Sequence, residues 1–389
     1  MKRLFILLFV VVLAATLAGC APNAPGAAGS NKIKIGLEAP LTGDYAYEGK
    51  GMQKAVQLLV DQTNAAGGIN GQQVELIIED DKGDPKEAAL VADRMVSNKV
   101  AAVIGAYNSS ATEPASVTYN RNNVLHITPS STRVSLTEKG FKQFFRTCFL
   151  DDRQGLFAAT FMKEVLGNKN IAILHDNSTY AQGLAEETKK FAEDQGLNIV
   201  FYDAINPKDQ DFTPVLTKIK SANPETVYFT GYHAQAGQLL KQAKAVGLQT
   251  QWLGGNASNN PEIIEIAGLD NAKGMMFTTE PLPKDLDYPE AKQFLADYKA
   301  KYNEEAESVW WVMAADAFRV VKNAMEQTKS TDTTKLAEYL HNSFKNFPGI
   351  TGPILGFDEK GDRLGSIHKA YVITDTGEIK PYPKQPTVQ

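Results

Sequence analysis

An α/β fold built from two successive units of parallel sheet and helix is predicted by three features of the 389-residue chain. From Lys32 onward, short β-branched runs alternate with stretches of helical period, the pattern of strands covered by helices. The alternation runs through twice, from Ile33 to about Leu150 and from Asp151 to about Glu280, each series near the usual size of a domain. The composition, 43% hydrophobic and 22% charged, lies far from that of a disordered tail.

The first series carries predicted strands at Ile33 to Leu37, Val74 to Glu79, Ala101 to Ile104 and Val124 to Ile127. The second carries Ile171 to His175, Asn198 to Phe201, Thr226 to Phe229 and Gln251 to Gly254. Helices fall between them. One starts at Asp84, with Pro85 in the first helical position and Glu87 at the third, the arrangement of a capping box. Another places Ala236, Leu239, Leu240, Ala243 and Val246 on one face, and Gly247 is its stop. A third block, Tyr288 to Tyr302, Ser308 to Gln327 and Thr333 to Ser343, reads as helices with too little strand for a third sheet domain, and is expected to pack back onto an existing one. The stretch from Gly352 to Val372 returns to strand and turn signals, with Asp358 to Asp362 as the turn.

Two ends of the property range are excluded. Acidic residues outnumber basic ones, 45 to 40, and the net charge moves from −5 to −7 once Lys2 and Arg3 are set aside, so a nucleic-acid partner is not expected. Residues 1–19 have the form of an export signal: Lys2-Arg3, an apolar run from Leu4 to Ala15, then small residues to Gly19. The run falls short of the roughly 20 residues of a membrane helix, and no other segment approaches that length. Leu17-Ala18-Gly19-Cys20 resembles a bacterial lipobox, which implies lipidation of Cys20; ordinary signal cleavage with Cys20 a bystander is the other reading. Residues 21–31 are small, Pro, Gly and polar, a tether of at most about 38 Å. Cys148 is then the remaining thiol, in an apolar setting suited to a buried structural role, and no internal disulfide can form.

In open α/β sheets ligands sit beyond the carboxyl ends of strands, so those loops carry the functional argument. Gly43 to Gly51 looks like a phosphate-binding loop but fails: five residues separate Gly43 from Gly49-Lys50, and Gly51 stands where Ser or Thr would hold magnesium. With Tyr45 and Tyr47, that loop suits an apolar small molecule better. Gly105 to Thr112, which includes Tyr107, Ser109 and Ser110, offers hydroxyls and N–H groups to a carboxylate; helix capping alone explains it equally well. Thr128 to Thr132, with Ser130, ends the neighbouring strand in the same way, and two converging polar loops favour a site. His175 to Tyr180, Gly231-Tyr232-His233 and Gly254-Gly255-Asn256 hold the equivalent places in the second series, so a ligand would lie between the two.

Enzyme readings fare poorly. The five histidines show no metal-binding spacing, no G-x-S-x-G elbow is present, and no cofactor fingerprint occurs, so neither metal, cofactor nor catalytic residue is assigned. His175-Asp176 reads as a polar pair at a strand end more readily than as part of a triad. Asp80-Asp81 and Asp151-Asp152 read as solvated turns and caps.

Beyond Lys32 the chain resembles the extracytoplasmic Leu/Ile/Val-binding proteins of bacterial ABC transporters, of the type I periplasmic-binding-protein fold. The resemblance rests on Ile35-Gly36-Leu37, Pro40-Leu41-Thr42-Gly43, Asn64 to Gly71, Asp80-Asp81 with Asp84-Pro85, Ile104-Gly105, Ser109 with Pro114-Ala115-Ser116, Ile127-Thr128-Pro129 and Gly231-Tyr232-His233. It implies two lobes joined by three crossings, near Leu150, Glu280 and Ser366: residues 32–150 with 281–366, and 151–280 with 367–389. It further implies a monomeric, non-catalytic binding protein, lipid-anchored outside the cell membrane, that passes a small, aliphatic or branched-chain amino acid to a permease. A ligand sensor of the same fold, presenting a small carboxylate or amide to a receptor, is the alternative. By the resemblance, Ser109 holds the ligand carboxylate, Ser130 and Thr132 contact carboxylate and ammonium, Tyr180 and Tyr232 close over the ligand, and Val309 or Trp310 packs on its side chain. Asn256 stands where such proteins commonly carry Glu or Asp against the ammonium, and Glu48 where an aromatic residue is usual. Either Glu48 supplies the missing charge from the opposite lobe, or it faces solvent and the ligand is not a simple α-amino acid. The family's disulfide positions fall on Gly83 and Asn108.

Overall fold

A computed structural model describes residues 32–387; the export signal, the lipobox at Cys20 and the tether of residues 21–31 lie outside the described residues. The strands β1 (Ile33–Ala39), β2 (Val74–Asp80), β3 (Ala102–Ile104), β4 (Leu125–Thr128) and β5 (Phe144–Arg146) form one sheet in the order β2-β1-β3-β4-β5, with every pairing parallel. The second sheet holds β6 (Asn170–His175), β7 (Asn198–Ala204), β8 (Thr226–Phe229), β9 (Gln251–Gly254), β10 (Met276–Thr279), β11 (Lys369–Ile373) and β12 (Ile379–Pro381). Its order is β12-β11-β10-β9-β8-β6-β7, parallel as far as β10 and antiparallel for β11 and β12. All eight expected strands are present. The sequence reading missed β5, β10 and β12, each four residues or fewer.

Helices α1 (Ala46–Ala65), α2 (Pro85–Ser97) and α3 (Ser109–Arg121) follow the first strands; α4 (Asp151–Thr160), α5 (Thr179–Asp194), α6 (Thr213–Ala222) and α7 (His233–Ala245) accompany the second sheet, with short α8 (Glu262–Ala267) and α9 (Leu269–Ala272). Strands β3 and β4 are buried throughout; β3 reads as an unbroken apolar run, and β4 carries buried His126 and Thr128 between apolar residues. Asp84 caps α2, accepting from Lys86 N at 2.8 Å and Glu87 N at 3.0 Å. The reciprocal half of the expected capping box is absent, because Glu87 pairs with Arg94 at 3.3 Å instead. Gly247 follows α7 at φ 66°, a left-handed stop that glycine adopts without strain.

The third block packs onto the first sheet as expected. Its helices are α10 (Pro289–Tyr302), α11 (Val309–Thr328) and α12 (Thr333–Asn342); α11 lies against α1, β3 and β4, and α12 touches β4. Gly51 of α1 allows the close approach, since a Cβ there would stand 1.8 Å from the Trp311 ring, and one at Gly49 would stand 1.9 Å from Pro40 O. The glycines of the apparent phosphate loop are thus packing residues. Buried Asp316 on α11 accepts from Ile350 N at 2.7 Å and from Thr351 N and Oγ1 at 2.9 and 2.7 Å, which holds the following loop to the helix. Fully buried Arg146, at the end of β5, pairs with Asp362 at 2.5 Å and donates to Ser131 O and Arg133 O at 2.9 and 3.0 Å. One guanidinium therefore ties the tail of the chain to the loop after β4, where the candidate site begins.

Candidate ligand-binding site

Two polar loops meet at the carboxyl ends of β3 and β4. Thr128 Oγ1 donates to Ala106 O at 2.9 Å, Ser130 Oγ donates to Tyr107 O at 3.0 Å, and Ser131 Oγ lies 2.7 Å from Thr112 Oγ1. These bonds engage the hydroxyls of Thr128, Ser130 and Ser131 and lock the second loop against the first. Ser109 Oγ is left without a protein partner although the residue is only 1% exposed. Thr132 Oγ1 is likewise buried without a well-formed bond, with the Asp151 carboxyl as its polar neighbour. An unpartnered buried hydroxyl costs free energy, so it is conspicuous where a ligand would lie.

From the second sheet, Tyr180 stands in the first turn of α5, Tyr232 immediately before α7, and Asn256 in a 3₁₀ turn after β9. A narrow cavity of about 10 Å³ is lined by Tyr107, Ser109, Ser130 and Trp310 from the first half and by Tyr180, Tyr232, Asn256 and Ala257 from the second. The structure thus brings together seven of the residues singled out in the sequence. The other two, Thr132 and Glu48, are buried but do not line the cavity.

The walls are aromatic. Tyr180 and Tyr232 have ring centroids 5.3 Å apart, and Tyr107 lies 6.2 Å from Trp310 and 6.3 Å from Tyr232. Tyr45, which the sequence offered only as an aromatic loop residue, packs 4.7 Å from Tyr232 and 6.2 Å from Tyr107, so it bridges the two halves. Burial pushes the phenols of Tyr107, Tyr180 and Tyr232 well above their ordinary range, so all three are neutral hydrogen-bonding groups here.

Glu48 does not face solvent. It is 1% exposed, Asn260 Nδ2 from the opposite half donates to its Oε1 at 3.1 Å, and Ser308 and Trp311 lie beside it. Burial pushes its carboxyl up to about 7. Asp81 and Asp151 are also buried, and burial pushes both up to about 7, so the reading of both doublets as solvated turns fails for these two members. Asp81 still serves a turn, accepting from Gly83 N at 2.8 Å. His175 Nδ1 accepts from Asn177 N at 3.2 Å and Asp176 Oδ1 from Ser178 N at 2.9 Å, the local bonds of a strand-end pair.

Cys148 is buried, with Ser131 O at 3.6 Å, and burial raises its thiol far above the range of a reactive one. A Cβ on Gly83 would stand 2.8 Å from Asn108 Oδ1, so the two positions matched to a disulfide are neighbours here without cysteines. Among the described residues no group of three or more His, Cys, Asp and Glu is placed to hold a metal, and no helix is long and apolar enough to cross a membrane.

Comparison with known proteins bears on the whole of this architecture. The family model described as periplasmic binding protein matches residues 32–374. A leucine-, isoleucine-, valine-, threonine- and alanine-binding protein of Pseudomonas aeruginosa is 39% identical over 335 residues, 86% of this chain and 87% of its own. The Leu/Ile/Val-binding protein of Escherichia coli K12 is 35% identical over 353 residues, 90% of this chain and 94% of its own. Among solved structures, the branched-chain amino acid transporter substrate-binding protein LivJ of Streptococcus pneumoniae, in complex with isoleucine, superposes with a TM-score of 0.80 at 32% identity, covering 91% of this chain and all of that one. Matched along most of its length in both sequence and fold, the chain belongs to the periplasmic binding protein family.

Proposed function

We propose that this protein captures a small aliphatic amino acid between its two lobes and delivers it to the membrane permease of an ABC importer, without chemistry of its own. The observation that carries the reading is the cavity itself: unpartnered Ser109 Oγ at the start of α3 on one side, and a cage of tyrosines with Trp310 around the rest. A ligand carboxylate placed there gains a hydrogen bond of the charged kind, about 1.5–3 kcal/mol, and a favourable helix end, about 0.3–1 kcal/mol. The apolar rings receive the side chain. Such a sum is compatible with micromolar affinity, about 8 kcal/mol. Residues 32–150 with 281–366 would form one lobe and 151–280 with 367–389 the other, hinged near Leu150, Glu280 and Ser366. Lipid on Cys20 would hold the monomer at the outer face of the membrane.

The test is a thermal-shift panel on protein stripped of ligand by unfolding and refolding. Free amino acids are set against carboxylates and amides of the same skeleton that lack the amino group. Ligand at 100 times its dissociation constant stabilises by about 2.7 kcal/mol, a shift that is easily seen. Leucine, isoleucine, valine or alanine is expected to raise the midpoint. A response confined to molecules without an ammonium would overturn the amino-acid reading and favour a small carboxylate or amide.

A further inference from the structure

A bound α-amino acid brings a positive charge among buried side chains, and an unpaired buried charge is costly. The wall facing the second sheet presents Asn256, which is neutral. Its amide has a defined orientation. Tyr180 OH donates to Asn256 Oδ1 at 2.8 Å, and Asn256 Nδ2 donates, at a longer 3.4 Å, to Glu280 Oε2. A carboxylate only accepts, so Nδ2 must face Glu280, and Oδ1 is left on the side of the cavity-lining tyrosine.

Glu280 follows β10 directly and is fully buried, with Oε1 lacking any hydrogen-bond partner. Thr279 Oγ1 also reaches Oε2, at 3.4 Å, and His368 Nε2 lies 3.9 Å from Oε1. Burial pulls His368 down to about 3, so it is neutral and gives no counter-charge; burial raises Glu280 to about 6, restrained by its hydrogen bonds and by Arg363. Asp176, beside Tyr232 and Tyr45, accepts from Ser178 N at 2.9 Å, and two more buried carboxylates are placed differently. Glu48 is taken by Asn260, and Asp151 lies beside Thr132 with Arg146 and Arg133 nearby.

We propose that Glu280 is the positioning residue for the ammonium end of the ligand, fixing the Asn256 amide so that Oδ1 accepts from the ammonium while its own carboxylate supplies the negative charge one side chain behind. The carboxylate that relatives commonly place on the cavity wall is thereby moved into a second layer. This rests on the reading of the cavity as an amino-acid site.

Titration calorimetry near neutral pH separates the two. Wild type, Glu280→Gln and the double variant Asn256→Asp with Glu280→Gln are titrated with L-leucine and L-alanine, and with 4-methylpentanoate and propanoate, their amino-free partners. Glu280→Gln removes the negative charge and gives the Asn256 amide a neighbour that can donate as well as accept, and the amino acids are expected to lose roughly tenfold or more in affinity, the worth of one hydrogen bond to a charged group. The amino-free acids should bind as before. The double variant, with its carboxylate back on the wall, should recover the preference for the amino acid. Equal losses for both kinds of ligand would reduce Glu280 to a structural role and overturn the proposal, as would no change in either. Should the single variant fail to fold, the double variant decides alone: a lost preference for the amino acid overturns the proposal. Wild type that binds the acids but no amino acid would sink the underlying reading as well, a result distinct from all of these.

Discussion

Ser109→Ala tests the site with little structural side effect. Its Oγ is buried and bonds to nothing in the protein, and Asn108 rather than Ser109 occupies the cap position of α3. Removing it therefore breaks no internal hydrogen bond, and alanine is the better helix former by up to about 0.7 kcal/mol. The ligand-free protein should melt at the same temperature or slightly higher. The complex should lose one charged hydrogen bond, about 1.5–3 kcal/mol, which weakens binding by roughly tenfold to 150-fold. Calorimetric titration with leucine gives the second quantity, and a thermal melt of the refolded, ligand-free protein gives the first. A wild-type binding curve would refute the placement of the carboxylate at Ser109. A ligand-free midpoint that falls in step with affinity would show instead that the hydroxyl is structural.

Three further outcomes follow from particular contacts. Replacing Asp362 with Ala leaves fully buried Arg146 without its carboxylate, and should cost about 3–5 kcal/mol in urea unfolding; a loss below about 1 kcal/mol would show that its carbonyl partners suffice. Gly51→Ala drives a methyl into the Trp311 ring and should destabilise by about 1–3 kcal/mol through the α1–α11 contact, read by the same method, and an unchanged midpoint would contradict that close packing. Glu48 has its carboxyl raised from 4.5 to about 7, so the folded state holds a proton that the unfolded state releases, and its favourable share of stability is lost as pH rises through about 7. Relative to wild type, Glu48→Gln should therefore gain stability between pH 5 and pH 8, on the order of 1–3 kcal/mol. The same variant titrated with leucine checks whether Glu48 acts as the counter-charge; unchanged affinity would leave Asn256 and Glu280 in that role.

Sequence and structure agree where the signal is local or periodic. The parallel strands were legible because buried strands such as β3 are written in apolar and β-branched residues, and α7 because its apolar positions repeat at helical spacing up to Gly247. The loops around Ser109 and Ser130 were legible because hydroxyls after a strand and before a helix have few uses. The gaps lie in contacts between residues distant in sequence. Asn256 and Glu280 are 24 positions apart and meet because β9 and β10 pair; with β10 unrecognised, nothing marked Glu280 as a neighbour of the site. Glu48 and Asn260, 212 positions apart, meet only across the two halves, so the sequence left open whether this glutamate faced the opposite half or solvent. The buried Asp81 and Asp151 were misread for the same reason, since a doublet in a turn gives no sign of what is packed over it.

Those cross-half contacts bear on how closure is set. Tyr45 against Tyr232 is worth about 0.5–1.5 kcal/mol as an aromatic pair, and it needs no ligand. The bond from Asn260 to Glu48 adds a charged hydrogen bond, but the same burial raises the Glu48 carboxyl to about 7, so in neutral solution much of that gain offsets the cost of burying the charge. Closure resting on these two contacts alone is thus nearly balanced. A ligand that shifts such a balanced pair of states to 99:1 must favour the closed one by about 2.7 kcal/mol. Only groups that touch it from both halves at once can supply that difference. In this cavity those are Ser109 on one side and, on the other, the Tyr180–Asn256 edge backed by Glu280. On the proposed reading, a ligand with a carboxylate alone engages the first and leaves the second unused, so the charge behind Asn256 would let the protein close on an amino acid in preference to the corresponding acid.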